Sequence, residues 1–92
     1  MDIETFRTFH GEMKTVPDDL VQGELDAALA FVEEAKFFAT GSSNQDQIQR
    51  FRAALQISAL PYAKAARLVD DSKVASYQKQ FDRLWFLSVA GL

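Results

Sequence analysis

The chain contains no cysteine, one histidine, two prolines and four glycines in 92 residues. The missing cysteine excludes disulfides and every thiolate metal site, so neither covalent staples nor a zinc-thiolate centre can support so short a fold. The single histidine, His10, leaves no His-rich metal set and no way to assemble a Ser-His-Asp constellation around a second candidate base. No apolar run approaches the roughly 18 residues that a membrane-spanning helix needs. The opening residues Met1-Asp2-Ile3-Glu4 are acidic and have no continuous apolar stretch, unlike a secretory signal. The expected setting is therefore soluble and intracellular, with no membrane partner.

What is present is hydrophobic and helical in period. Apolar residues make up 48% of the chain and eight are Phe, enough for one core, so a single domain over residues 1–92 is expected. The net charge of −3 is unevenly spread: residues 1–40 hold nine acidic residues against three basic, and residues 41–92 hold seven basic against four acidic. Two arrangements follow from that asymmetry. Acidic and basic helices pair within one molecule, or the acidic half of one subunit meets the basic half of the next.

Four helical segments and no strand pattern can be read, giving an all-α fold: a small bundle of three to four helices around a central third helix. The first helix spans about Ile3–His10, with Asp2 as N-cap, Ile3, Phe6 and Phe9 at near-helical spacing and Gly11 as its stop. The second starts at Pro17 or Asp18, where proline suits the first turn and the two aspartates face the positive end of the helix dipole. It runs to about Ala39, its wide apolar face including Leu20, Val21, Leu25, Ala28, Leu29, Phe31, Val32, Ala35 and Phe38. Asp26, Glu33 and Phe37 fall on the opposite side.

Gly41-Ser42-Ser43-Asn44 is a turn, with Ser43 and Asp46 spaced like a capping box. The third helix then runs from about Asn44 toward Leu68, with a kink or break near Ser58–Leu60 caused by Pro61. Ile48, Phe51, Leu55, Ala59, Tyr62, Ala66 and Val69 form one face of it. Ala53, Ile57, Leu60 and Leu68 form a second stripe, so the helix is either central or packed against a partner. Asp70-Asp71-Ser72 opens the fourth helix, whose inner face carries Val74, Tyr77, Phe81, Leu84, Trp85 and Ser88. Phe86 and Leu87 depart from that face, and Gly91 is the expected stop.

Chemistry is sparse. His10 is expected to be solvated or stabilised by the C-terminal dipole of the first helix. The Asp18-Asp19 and Asp70-Asp71 pairs lack the alternating oxygen ligands of a calcium loop and are read as helix-start charges. Gly41-Ser42-Ser43 lacks the lysine and second glycine of a phosphate loop. Glu33 and Glu34 point about 100° apart and are no acid/base pair. Glu24 projects into the apolar arc of the second helix and reads as a locally paired or snorkelling carboxylate. Arg50, Arg52, Lys64 and Arg67 are a thin electrostatic footprint for nucleic acid, and Ile57 and Leu60 among them suit a protein contact better. No catalytic, cofactor or metal residues are assigned and no enzyme is expected. The candidate contact residues are Phe37, Ile57, Leu60, Phe86 and Leu87, with Arg50, Arg52 and Arg67 facing acidic residues of the second helix.

The order of parts has a known counterpart. Ile3-Glu4-Thr5-Phe6, then Lys14-Thr15-Val16-Pro17-Asp18-Asp19-Leu20, then Glu24-Leu25-Asp26-Ala27-Ala28, give a short helix, a punctuated loop and an Ala/Leu-rich helix. With Ala53-Ala54-Leu55 through Leu60-Pro61-Tyr62, this arrangement resembles phage and prophage head–tail connector (adaptor) proteins over about residues 3–66. The chain is short, with little room for the longer loop and C-terminal extension of many members. The resemblance implies a non-enzymatic subunit that oligomerises into a ring between portal and tail-completion proteins. DNA would pass through the channel without sequence-specific binding. The protein would sit in the host cytoplasm during assembly and then in the virion neck. The alternative class is a small intracellular regulatory helical module that binds one protein partner through the same apolar residues.

Overall fold

The structure is a computed structural model that describes residues 1–35 and 42–89, apart from the side chains of Tyr62 and Val89. Among them are five α-helices, one 3-10 turn and no strand: α1 (Ile3–Phe9), the 3-10 turn (Gly11–Met13), α2 (Asp18–Glu34), α3 (Ser43–Ser58), α4 (Pro61–Ala65) and α5 (Asp71–Val89). The all-α expectation holds. Phe37, the expected end of the second helix near Ala39, and the expected stop at Gly91 lie outside the described residues.

Short polar side chains and the two prolines set the helix ends. The Asp2 carboxylate accepts the Thr5 N–H at 2.7 Å, and that backbone bond holds its carboxyl below the usual carboxylate range. Pro17, extended at ψ 143°, precedes α2, and its carbonyl accepts the N–H groups of Leu20 and Val21 at 3.1 Å. The α3 cap is Ser42, not Ser43: extended Ser42 accepts the Gln45 N–H on its hydroxyl at 3.2 Å. Ser43 is already inside the first turn, where its hydroxyl takes a bond from Gln47. A cap residue stands outside the helix with extended backbone and turns its oxygen onto an N–H three residues ahead, which fits extended Ser42 and not helical Ser43.

Pro61 does more than kink the expected third helix. It divides it, α3 ending at Ser58 and α4 beginning at Pro61 itself. Proline has no N–H to continue the ladder and its ring clashes with the preceding turn, but it is preorganised for a first turn. α4 is closed by Arg67, whose φ of 50° is left-handed. The Arg67 N–H reaches the Lys64 carbonyl and the Leu68 N–H the Ala63 carbonyl, a Schellman closure built without glycine. Asp70 then caps α5, accepting the Lys73 N–H at 2.9 Å and the Ser72 hydroxyl at 2.6 Å.

α3 packs between α2 and α5, which makes it the central element. On α2, Val21, Leu25, Ala28 and Val32 recur at helical spacing and are buried, while Leu20, Leu29 and Phe31 are half-buried and Ala35 is exposed. One core cluster joins Phe6, Met13, Val16, Val21, Leu25 and Ala28 to Ala53, Ala54 and Ile57. A second joins Val32, Ile48, Phe51, Phe81 and Leu84. Gln49, buried between them, donates to the Leu25 carbonyl at 3.0 Å and ties α3 to α2.

The two stripes of the third helix are thereby explained. On α3, Ile48, Phe51 and Leu55 of the first stripe pack in or against the second cluster and Ala53 and Ile57 of the second stripe lie in the first, because α3 has neighbours on two sides, while Ala59 and Ala66 are exposed. Ile57, expected at a partner contact, is 0% exposed inside the first cluster, and Leu60 is half-buried against the same cluster. Of the residues that projection alone offers to a partner, the core takes Ile57.

Candidate functional site

His10 is where the structure departs furthest from expectation. It is 1% exposed, not solvated at a helix end. His10 closes α1, its backbone N–H on the Phe6 carbonyl, and its side chain turns inward while that of Phe9 is 58% exposed. The imidazole lies against the Phe6 ring, with centroids 4.8 Å apart, and takes the Tyr77 ring edge-on at 4.8 Å. Phe51 closes a third side at 6.3 Å.

The polar atoms around the ring come from three segments: α3, the 3-10 turn and α5. Arg50 on α3 approaches Nε2 with Nη1 at 3.3 Å. A guanidinium only donates, so Nε2 is the acceptor and the neutral ring carries its proton on Nδ1. Nδ1 points toward Glu12 Oε1 at 3.7 Å, beyond hydrogen-bond length. Glu12, in the 3-10 turn, accepts a bond from the Tyr77 hydroxyl and lies 3.6 Å from Lys73 Nζ. Burial and then the Arg50 charge push the imidazole down to about 4, outweighing Glu12. His10 is therefore neutral near pH 7. No substrate atom can reach a ring so enclosed, so the cluster joins α1, the 3-10 turn, α3 and α5 and offers no acid/base site.

Its exposed edge is Arg50. The guanidinium lies 4.2 Å from the centroids of both Phe9 and Phe51, and burial lowers it below its ordinary value. Among the described residues it makes no ion pair, and its hydrogen bond to His10 is the one it forms. It lines a groove of about 320 Å³ with Met1, Thr5, Phe9, Ser43, Asp46 and Gln47. Arg7 is used differently, pairing with Asp18 at 2.6 Å and donating to the Val16 carbonyl. The charge asymmetry of the chain is thus only partly answered within the molecule.

A second surface lies where α2 and α5 meet. Arg52 sits 4.1 Å over the Phe31 ring. Trp85 stacks on Phe31 with centroids 5.8 Å apart and leans on Phe81 at 5.8 Å. Trp85 is 37% exposed and Phe86 67%, and Leu87 is half-buried. Arg50 and Arg52 each pack on aromatic rings of their own chain, and among the described residues neither forms an ion pair. Arg67 is exposed and closes α4. Sequence reasoning missed the His10 cluster, although the projection of His10 between Ile3 and Phe6 on the expected first helix was a readable sign of burial.

Among the described residues, no group of three or more His, Asp or Glu side chains is placed to hold a metal. None of the described helices is long and apolar enough to cross a membrane. Comparison of the chain with known protein families, with curated proteins and with solved structures gives no match.

Proposed function

We propose that this protein works by binding other proteins as a structural assembly subunit, and that the assembly is of the phage head–tail connector kind. The observation that carries the binding reading is Phe86. It projects from α5 at 67% exposure beside the partly exposed Trp85, and exposed aromatic pairs of this sort are enriched at the centres of protein interfaces. Leu87 borders the pair. The connector form of the reading is supported by the order of parts: a short capped helix, a punctuated loop, a Pro17-headed α2 and a central α3 ended by Pro61. In this reading the aromatic end of α5 meets portal or tail-completion protein, and DNA passes without sequence-specific contact.

The test is a Phe86→Asp variant. Phe86 is outside both core clusters, so the variant folds, with unchanged circular dichroism. Binding to a portal ring or tail-completion protein encoded with this chain is expected to fall at least about tenfold, as for a hot-spot aromatic. Binding of neither component by the wild type would sink the connector reading. A stoichiometric one-to-one complex with some other protein would favour the single-partner regulatory module.

A further inference from the structure

We propose that the groove between α1 and the first half of α3, with Arg50 in its lining, receives the acidic stripe of α2 from a second copy of this chain. The proposal rests on the assembly reading above and names the self-contact within it. Three observations support it.

First, Arg50 is held ready for an anion. Phe9 and Phe51 flank its guanidinium at 4.2 Å and His10 holds Nη1 at 3.3 Å. Its remaining N–H groups have no acceptor among the described residues. A planar guanidinium fixed in this way loses little freedom on meeting a carboxylate and can bind it through two parallel bonds. The partial burial that makes the cation costly alone strengthens such a pair. Asp46, one turn earlier on α3, lines the same groove but forms no ion pair with Arg50 among the described residues.

Second, the chain carries a matching surface. Asp19, Asp26 and Glu33 are seven residues apart along α2 and all are exposed. They line up within about 40° of one another, roughly 130° round the helix from Val21, Leu25, Ala28 and Val32. Among the described residues none of the three forms an ion pair, and Asp26 accepts only a neutral bond from Gln22. The stripe belongs to the half of the chain with nine acidic residues against three basic, and Arg50 to the half with the basic excess.

Third, the two surfaces are different parts of the molecule. The stripe is on the side of α2 turned from the core, and the groove lies between α1 and α3. A contact between them is head-to-tail, the kind that leaves each copy with one donor and one acceptor surface.

The experiment is sedimentation equilibrium over a dilution series at about 0.1 M and about 1 M salt, where the screening length falls from ~10 Å to ~3 Å. The wild type is expected to self-associate reversibly and to weaken at high salt. The triple variant Asp19→Asn, Asp26→Asn, Glu33→Gln changes only exposed side chains and should lose about tenfold or more in association. Arg50→Lys keeps the charge and loses the planar fork, so it should weaken association in parallel. Asp46→Asn removes a carboxylate from the groove and should strengthen it. Because the chain has no cysteine, a mixture of Gln47→Cys and Ala30→Cys proteins should form a mixed disulfide that neither forms alone. A monomer throughout the series, or association that the triple variant leaves unchanged, overturns the proposal. So does an Arg50→Lys effect confined to duplex DNA binding, which would assign the groove to phosphate. Portal binding without self-contact would sink this inference alone, and self-contact without portal binding would sink the connector reading alone.

Discussion

Lowering the pH should destabilise this protein through one residue, His10. In the folded chain burial and Arg50 hold its imidazole at about 4, against an ordinary value of 6.5. Above pH 6.5 the ring is neutral in both states and contributes no pH dependence. Between 6.5 and 4 the unfolded chain binds a proton that the folded chain refuses, so stability falls as pH falls. Each pH unit is worth about 1.4 kcal/mol. The full interval, in which the opposing charge of Glu12 is already included, corresponds to about 2–3 kcal/mol. For a domain stable by roughly 5–10 kcal/mol, that is a large fraction. Urea denaturation from pH 7.5 to 3.5 measures it, with His10→Gln as control. A glutamine can still accept from Arg50 and cannot titrate. The variant will be less stable at pH 7, having lost ring packing against Phe6 and Tyr77, but its loss between pH 6.5 and 4 should be smaller by about 2–3 kcal/mol. Equal slopes in the two proteins would refute the reasoning, as would a His10 NMR titration near its ordinary value.

Other perturbations separate core from surface. Ile57→Ala should cost about 2–4 kcal/mol in urea denaturation because it opens a cavity between α3 and its neighbours, whereas Phe86→Ala should stay within about 0.5 kcal/mol. Arg67→Gly should raise stability by about 0.5–1 kcal/mol, since glycine adopts the left-handed conformation that closes α4 without a Cβ penalty. Ser42→Ala should cost about 1 kcal/mol by leaving the Gln45 N–H without its cap, and the loss should appear as earlier hydrogen exchange in the first turn of α3.

The helix ends were the most legible part of the fold, because they are written locally. Asp2, Pro17, Pro61 and Asp70 each act on a backbone group within four residues, so their types and positions suffice. Ser42 and Ser43 show the resolution of such reading: both are good cap residues by type, and type alone does not choose between them. Ile57 marks a different limit. Its stripe was visible, but whether it met another subunit or another helix depended on where α2 and α5 lay. His10 was the hardest residue to read. Its burial depends on Arg50, 40 residues on, and on Lys73 and Tyr77, more than 60 residues on, which meet Glu12 beside it. Helical phase could have put it on the inner face, yet only the packed chain shows that an arginine, not a carboxylate, takes its Nε2.

The most direct test of the proposed assembly reading is native mass spectrometry with negative-stain imaging of the chain mixed with a phage portal ring. The account predicts many copies bound per portal, arranged as one added ring, and loss of that ring in the Phe86→Asp variant. A portal ring that stays bare at excess protein, or that takes up a single copy, would contradict it.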